Sequence, residues 1–205
     1  MNEAEADYPA SLTIDYPDRE LDRLTTLFRL FTAIPIGVVV GVLLWGVGND
    51  DSARFFGTFV VVPTLLMILV RQKYPRWWFD WNLALARIVT RFLAYLTCMT
   101  DEYPSTDEEQ GVHLDVRYPD VKAELNPWLT LVKWLLAIPH YVVLFFLSVA
   151  AVVVVIIAWF NILFTGRYPR DLFDFVVGVI RWYLRVWAYA FLLTTDIYPP
   201  FRLVS

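Results

Sequence analysis

Cysteine is almost missing from this chain: Cys98 is alone among 205 residues, which excludes an intramolecular disulfide and any metal site built from cysteines. Histidine is nearly as scarce. His113 sits in an acidic polar stretch and His140 follows Pro139, and neither has the companions that a metal or haem ligand set requires. No glycine-rich phosphate loop, dinucleotide fingerprint, HExxH, CxxC or GxSxG elbow occurs. The chain is therefore read as a non-enzyme that needs no cofactor. Basic clusters are absent too, and the net charge of -4 draws on an acidic N-terminal tail and on Thr100 to Gln110, so nucleic-acid binding is excluded. Residues 1–18 contain neither a lysine or arginine nor an apolar core. They lack both halves of a secretory signal, and the N-terminus is expected to be retained.

What the chain has instead is apolar mass. Hydrophobic residues make up 58% of it, more than a soluble domain uses. The run YVVLFFLSVAAVVVVIIAWFNILF, Tyr141 to Phe164, carries no charge and exceeds the roughly 20 residues needed to cross hydrocarbon. It reads as a transmembrane helix, because so short a chain has no soluble core to wrap such a rod. Asn161 within it is expected to bond a neighbouring helix.

The sequence also repeats itself. Ile14 to Asp18 (IDYPD) answers Val116 to Asp120 (VRYPD), Ala33-Ile34-Pro35 answers Ala137-Ile138-Pro139, and Tyr74-Pro75-Arg76 answers Tyr168-Pro169-Arg170. Each unit reads as a polar strand-like segment, an apolar helix with an Ile-Pro, a Tyr-Pro-Arg turn, a second helix and a closing Asp-x-Tyr-Pro. In VHLDVRYP the residues Val112, Leu114 and Val116 share one side. Such short strands are expected to pair with each other or with the tail PPFRLVS, in a small sheet at the membrane surface. Gly166 is expected to end the long helix in a left-handed cap, with Pro169, Asp171 and Asp174 opening the next. The segment Asn126 to Pro139, with Lys133, Trp128 and Trp134, reads as an interfacial foot.

The strings AIPH, IAWF, LFTGRYPR, LFDFVVGV and YPPF of the second unit resemble a bacterial membrane family, domain of unknown function 4389 (DUF4389). The first unit resembles it more loosely, with AIPI for AIPH and no LFTG. The resemblance thus implies two tandem copies and membrane residence, and no established activity.

Within each second helix the spacing 4, 3, 4, 4 sets Asp80, Ala84, Arg87, Arg91 and Tyr95, and again Asp174, Gly178, Arg181, Arg185 and Tyr189, on one face. Three uses of these stripes are open. The helices lie in the interface with arginines toward phosphates; or they span, with arginines paired inside to Asp80, Asp174, carbonyls of a neighbouring helix or an anionic lipid; or the stripes line a water-filled path.

The expected architecture is an all-α integral membrane protein with two tandem repeats of interfacial plus transmembrane helices and strand-like segments at the surface. Its parts are an acidic tail 1–10, repeat 11–105, an acidic linker 106–111 with Asp107, Glu108 and Glu109 as a solvated loop, and repeat 112–205. The polar loop Gly46 to Arg54 must reach a membrane surface. Four crossings, with the units parallel, are expected over six with the units inverted. The function expected is a structural or lipid-organising, multi-pass component of the cell membrane, an accessory subunit of a larger complex. Its partners are anionic lipid headgroups and other membrane subunits or further copies of itself. The binding residues are Arg87, Arg91, Arg181, Arg185, Asp80, Asp174, Tyr95 and Tyr189. The alternative is a small transporter or channel using the arginine stripes.

Overall fold

Two five-residue strands, Ala10–Ile14 (β1) and Val112–Val116 (β2), pair antiparallel with Leu12 opposite Leu114. The computed structural model describes residues 8–17, 19–45, 64–105, 108 and 110–204. The acidic residues 1–7, Thr106, Asp107 and Glu109, and the loop Gly46 to Arg54 lie outside the described residues. Alternation works as the pattern requires: Ala10, Leu12, Ile14, Val112, Leu114 and Val116 are buried, while Ser11, Thr13, His113 and Asp115 face outward and are exposed. The tail does not join this sheet among the described residues.

The rest is mostly helical. Asp22 caps α1 (Arg23–Thr32) by accepting from the Leu24 amide at 2.9 Å, which satisfies a donor the helix leaves free. α2 (Ile34–Trp45) follows at once; Pro35 has no amide to continue the ladder, and the two helices meet with a 41° bend. A π-helical turn, Met67–Arg71, ends at Gln72 with φ 47, and α3 (Arg76–Leu96) starts after Pro75. The short α4 (Val121–Glu124) leads to α5 (Pro127–Leu136), capped by Asn126. The long α6 (Ile138–Thr165) ends at Gly166 with φ 75, the left-handed cap expected. α7 (Arg170–Ala190) begins after Pro169. Asp171 occupies its first turn, but no side chain caps it.

Among the described residues, one helical rod, α5 with α6 (Pro127–Thr165), is long and apolar enough to cross a membrane, and only 11% of its most apolar window is buried. α1 with α2 joins it only when counted through the bend. Among the described residues Asn161 forms no bond to another helix; its carbonyl accepts from Thr165 in the next turn.

A two-stranded ribbon is marginal alone. Here β1 lies on α7 and β2 on α3, so the strand of each half covers the helix of the other half. Tyr16 Oη donates to the Tyr168 carbonyl at 2.5 Å and Tyr118 Oη donates to the Tyr74 carbonyl. The ends interlock in the same crossed sense. Tyr74, at the turn of the first half, donates from Oη to the carbonyl of Leu192, past the end of α7, at 2.9 Å. The Leu21 amide donates to the Gly166 carbonyl at 2.9 Å while the next amide, Asp22, donates to Asp101 Oδ2 at 2.8 Å. The turn of each half therefore adjoins the closing segment of the other. This is a head-to-tail relation.

Candidate functional site

Each arginine stripe faces a strand. Arg87 Nε donates to the Leu114 carbonyl at 3.2 Å, and Arg181 Nε to the Leu12 carbonyl at 3.0 Å. Leu12 and Leu114 are the paired residues at the centre of the sheet. One turn further along, Arg91 Nη1 donates to the Ser105 carbonyl at 2.8 Å and Arg185 Nη1 to the Arg202 carbonyl at 3.4 Å. Arg181 also reaches the Leu203 carbonyl at 3.3 Å. A guanidinium suits this work because its several donors spread over a planar fork that can engage more than one carbonyl.

Spacing on the helices brought these residues to one face, and the structure does so too. Their partners differ from those expected: carbonyls of the strands and of the closing segments, from well outside the helix layer. Asp80 and Asp174 are exposed, and among the described residues neither is in an ion pair with an arginine.

The tyrosines of the stripes lead to a second feature. Tyr95 carries the Arg29 guanidinium over its ring at 4.8 Å, and Tyr189 carries the Lys133 ammonium at 5.4 Å. Arg29 donates to the carbonyls of Tyr95 and Thr100, both at 2.7 Å, and pairs with Asp101 at 2.5 Å. Lys133 donates to the Thr195 carbonyl at 2.7 Å and pairs with Asp196 at 2.7 Å. The Arg29 and Lys133 side chains are 2% and 0% exposed. Each carboxylate also accepts the amide that precedes a helix: Asp101 from Asp22, Asp196 from Asn126 at 2.6 Å. The interfacial foot expected of α5 therefore has its cation turned into the protein, with Trp128 and Trp134 left exposed.

Sequence reasoning missed both boxes. Their signal was present, since Arg29 and Lys133 precede the two Ile-Pro steps by the same interval and the closing Asp-x-Tyr-Pro occurs twice.

His140 is fully buried, with Phe201 stacked on it at 4.0 Å and Trp182 Nε1 donating to its Nδ1 at 3.1 Å. It anchors the C-terminal segment to the start of α6. His113 lies exposed, 3.4 Å from Asp15. No group of three or more metal-ligating side chains occurs among the described residues.

Residues 128–202 match a domain of unknown function, DUF4389. The match covers one copy, so of the resemblance expected along the chain it supports the second half. The matched segment contains α5 from Trp128, α6, α7 and the closing segment, with Lys133, Asp196, His140, Arg181 and Arg185. It leaves out β2. No curated protein and no solved structure matches the chain significantly.

Proposed function

We propose that this protein is a non-catalytic, membrane-embedded structural component that organises anionic lipid, built from two tandem units of the DUF4389 kind. The observation that carries this reading is the use of the arginines. Arg87, Arg91, Arg181 and Arg185 each donate to a carbonyl of this same chain, which favours a fastening role over chemistry or an ion path. Large apolar side chains, among them Phe145, Phe146, Val149, Val153, Ile156 and Phe160 of α6, stand on the outside and suit hydrocarbon.

The sheet orients the molecule. Ser11, Thr13, His113 and Asp115 are exposed above the midpoints of α3 and α7, and open sheet edges in lipid are prohibitively costly. α3 and α7 accordingly lie along the interface with the sheet toward water, which is the helix placement of the first of the three uses, with the arginines facing carbonyls in place of phosphates. The apolar surfaces of α1, α2, α5 and α6 meet lipid. The cell membrane is its location, with further membrane subunits or further copies of the chain as partners.

Thr13→Cys and Phe146→Cys, each in a Cys98→Ser background, test this in reconstituted vesicles. A membrane-impermeant maleimide is expected to label residue 13 and spare residue 146. Labelling of neither would return the protein to a multi-pass bundle with its sheet sealed inside, and folding in buffer without amphiphile would end the membrane reading.

A further inference from the structure

Two clefts flank the sheet, and each forms where a strand's closing Tyr-Pro meets the left-handed turn that ends a helical segment of the other half. The first, about 320 Å³, is lined by Tyr16, Pro17, Arg19, Glu20, Arg167 and Tyr168. The second, about 470 Å³, is lined among others by Gln72, Lys73, Tyr74, Tyr118, Asp120 and Lys122. The pairs Arg19 with Arg167 and Lys73 with Lys122 come from chain positions far apart. The fold brings them together.

A third cation lies over a tyrosine that lines each cleft, outside the lining itself. Arg170 lies over the Tyr16 ring at 5.0 Å and Arg76 over the Tyr118 ring at 4.9 Å. Those same tyrosines are tied by their hydroxyls to the Tyr168 and Tyr74 carbonyls, so the wall beneath the cations is fixed in place. Among the described residues that line the clefts, cations outnumber acids. Glu20 stands 3.9 Å from Arg167, both largely exposed, and such a contact is weak. Asp120 is occupied in capping α4, accepting from Lys122 N and Ala123 N.

We infer that each cleft binds the phosphate of an anionic phospholipid headgroup. Two cations lining an open, water-accessible recess, with a third held over its tyrosine, match a phosphodiester, and a recess of this charge at headgroup depth would draw such lipids from the bilayer. The inference rests on the membrane reading above but moves the lipid site from the arginine stripes, which hold carbonyls, to the ends of the strands.

The test uses the full chain, purified in neutral detergent, with phosphatidylglycerol, phosphatidylcholine or inorganic phosphate added, and bound ligand counted by native mass spectrometry. Wild type is expected to retain two phosphatidylglycerol molecules and neither of the other ligands. Arg19→Gln/Arg167→Gln and Lys73→Gln/Lys122→Gln should each lose one molecule, with affinity at that cleft down about thirtyfold. Arg117→Gln, which removes an exposed cation paired with Glu124, should bind as wild type. A fourfold variant that melts normally and still retains two lipids overturns the proposal, as does equal retention of phosphatidylcholine. Retention of inorganic phosphate in place of the lipid assigns the clefts to free phosphate and overturns the lipid source. Were the wild type to need amphiphile yet retain no phosphatidylglycerol, this inference would fall while the membrane reading stood.

Discussion

Lys133 and Asp196 meet at 2.7 Å with the lysine side chain wholly withdrawn from solvent. A buried ammonium is stable only while its partners hold, and these come from α5 and from the segment after α7, which the pair ties together. Lys133→Met or Asp196→Asn alone should destabilise the protein by about 3–5 kcal/mol. The double variant Lys133→Met/Asp196→Leu should cost less than the two single losses added, because neither charge is left stranded. Denaturant melts in detergent decide this, and strict additivity would count against the box as a coupled unit.

Arg181 joins β1 to the C-terminal segment through the Leu12 and Leu203 carbonyls. Hydrogen bonds from a charged donor contribute about 1.5–3 kcal/mol, so Arg181→Ala should raise amide exchange in β1 before the helices melt. Arg181→Lys should rescue only part of this, since an ammonium lacks the planar fork that bridges two carbonyls. Hydrogen exchange resolved at Ala10–Ile14 reads the result.

Much of this was legible in the sequence. Alternation in Val112 to Val116, the left-handed cap at Gly166 and the Tyr-Pro-Arg starts of α3 and α7 are local features, and local sterics set them. The common face of Arg87, Arg91 and Tyr95 followed from helical period. Partners did not, because period says which way a side chain points and nothing about what comes to meet it. Arg181 finds Leu12, 169 residues away. The same limit hid Arg29 and Lys133, whose composition suited a surface and whose burial depends on a carboxylate more than 60 residues distant. Gln72, left-handed where the second half uses glycine, gave no local signal.

Gly178 and Gly41 should respond to alanine with opposite sign. A Cβ at Gly178 would stand 2.9 Å from the Leu203 carbonyl oxygen and from its Cβ, whereas at Gly41 nothing among the described residues lies within 4 Å. Gly178→Ala must push the C-terminal segment off α7 at a cost of about 1–3 kcal/mol, exposing it to protease. Gly41→Ala should raise the melting temperature, because alanine is favoured over glycine in a helix by about 1 kcal/mol. Limited proteolysis and thermal melts of the two variants are the comparison.

Burial holds the phenols of Tyr8, Tyr74 and Tyr168 above the usual tyrosine range. A group whose folded pKa is raised lends stability that is whole below its unfolded pKa and is lost as pH climbs toward the folded value. The contribution of these three phenols should therefore be level on the acid side of about pH 10 and fall beyond it, with phenolate absorbance from these residues appearing together with unfolding. Tyr74→Phe should flatten part of that fall, at the cost of the bond to the Leu192 carbonyl. Early phenolate signal from a protein still folded would contradict the burial.

The crossed strands make each half depend on the other. α7 of the second half is covered by β1 of the first, and α3 of the first by β2 of the second, so a half expressed alone leaves Arg87 or Arg181 without the strand carbonyl to which it donates. Chains cut within the acidic segment after Ser105 keep every such contact when both pieces are present. Co-expressed halves should therefore purify as one complex, and either half alone should aggregate or associate with itself, its strand standing in for the missing one in an antiparallel pair. That last outcome is open to the second half in particular, because Leu114 would face its own symmetry mate in the register that Leu12 now occupies. Halves that stay monomeric and melt cooperatively by themselves would show that the exchange adds nothing to their folding.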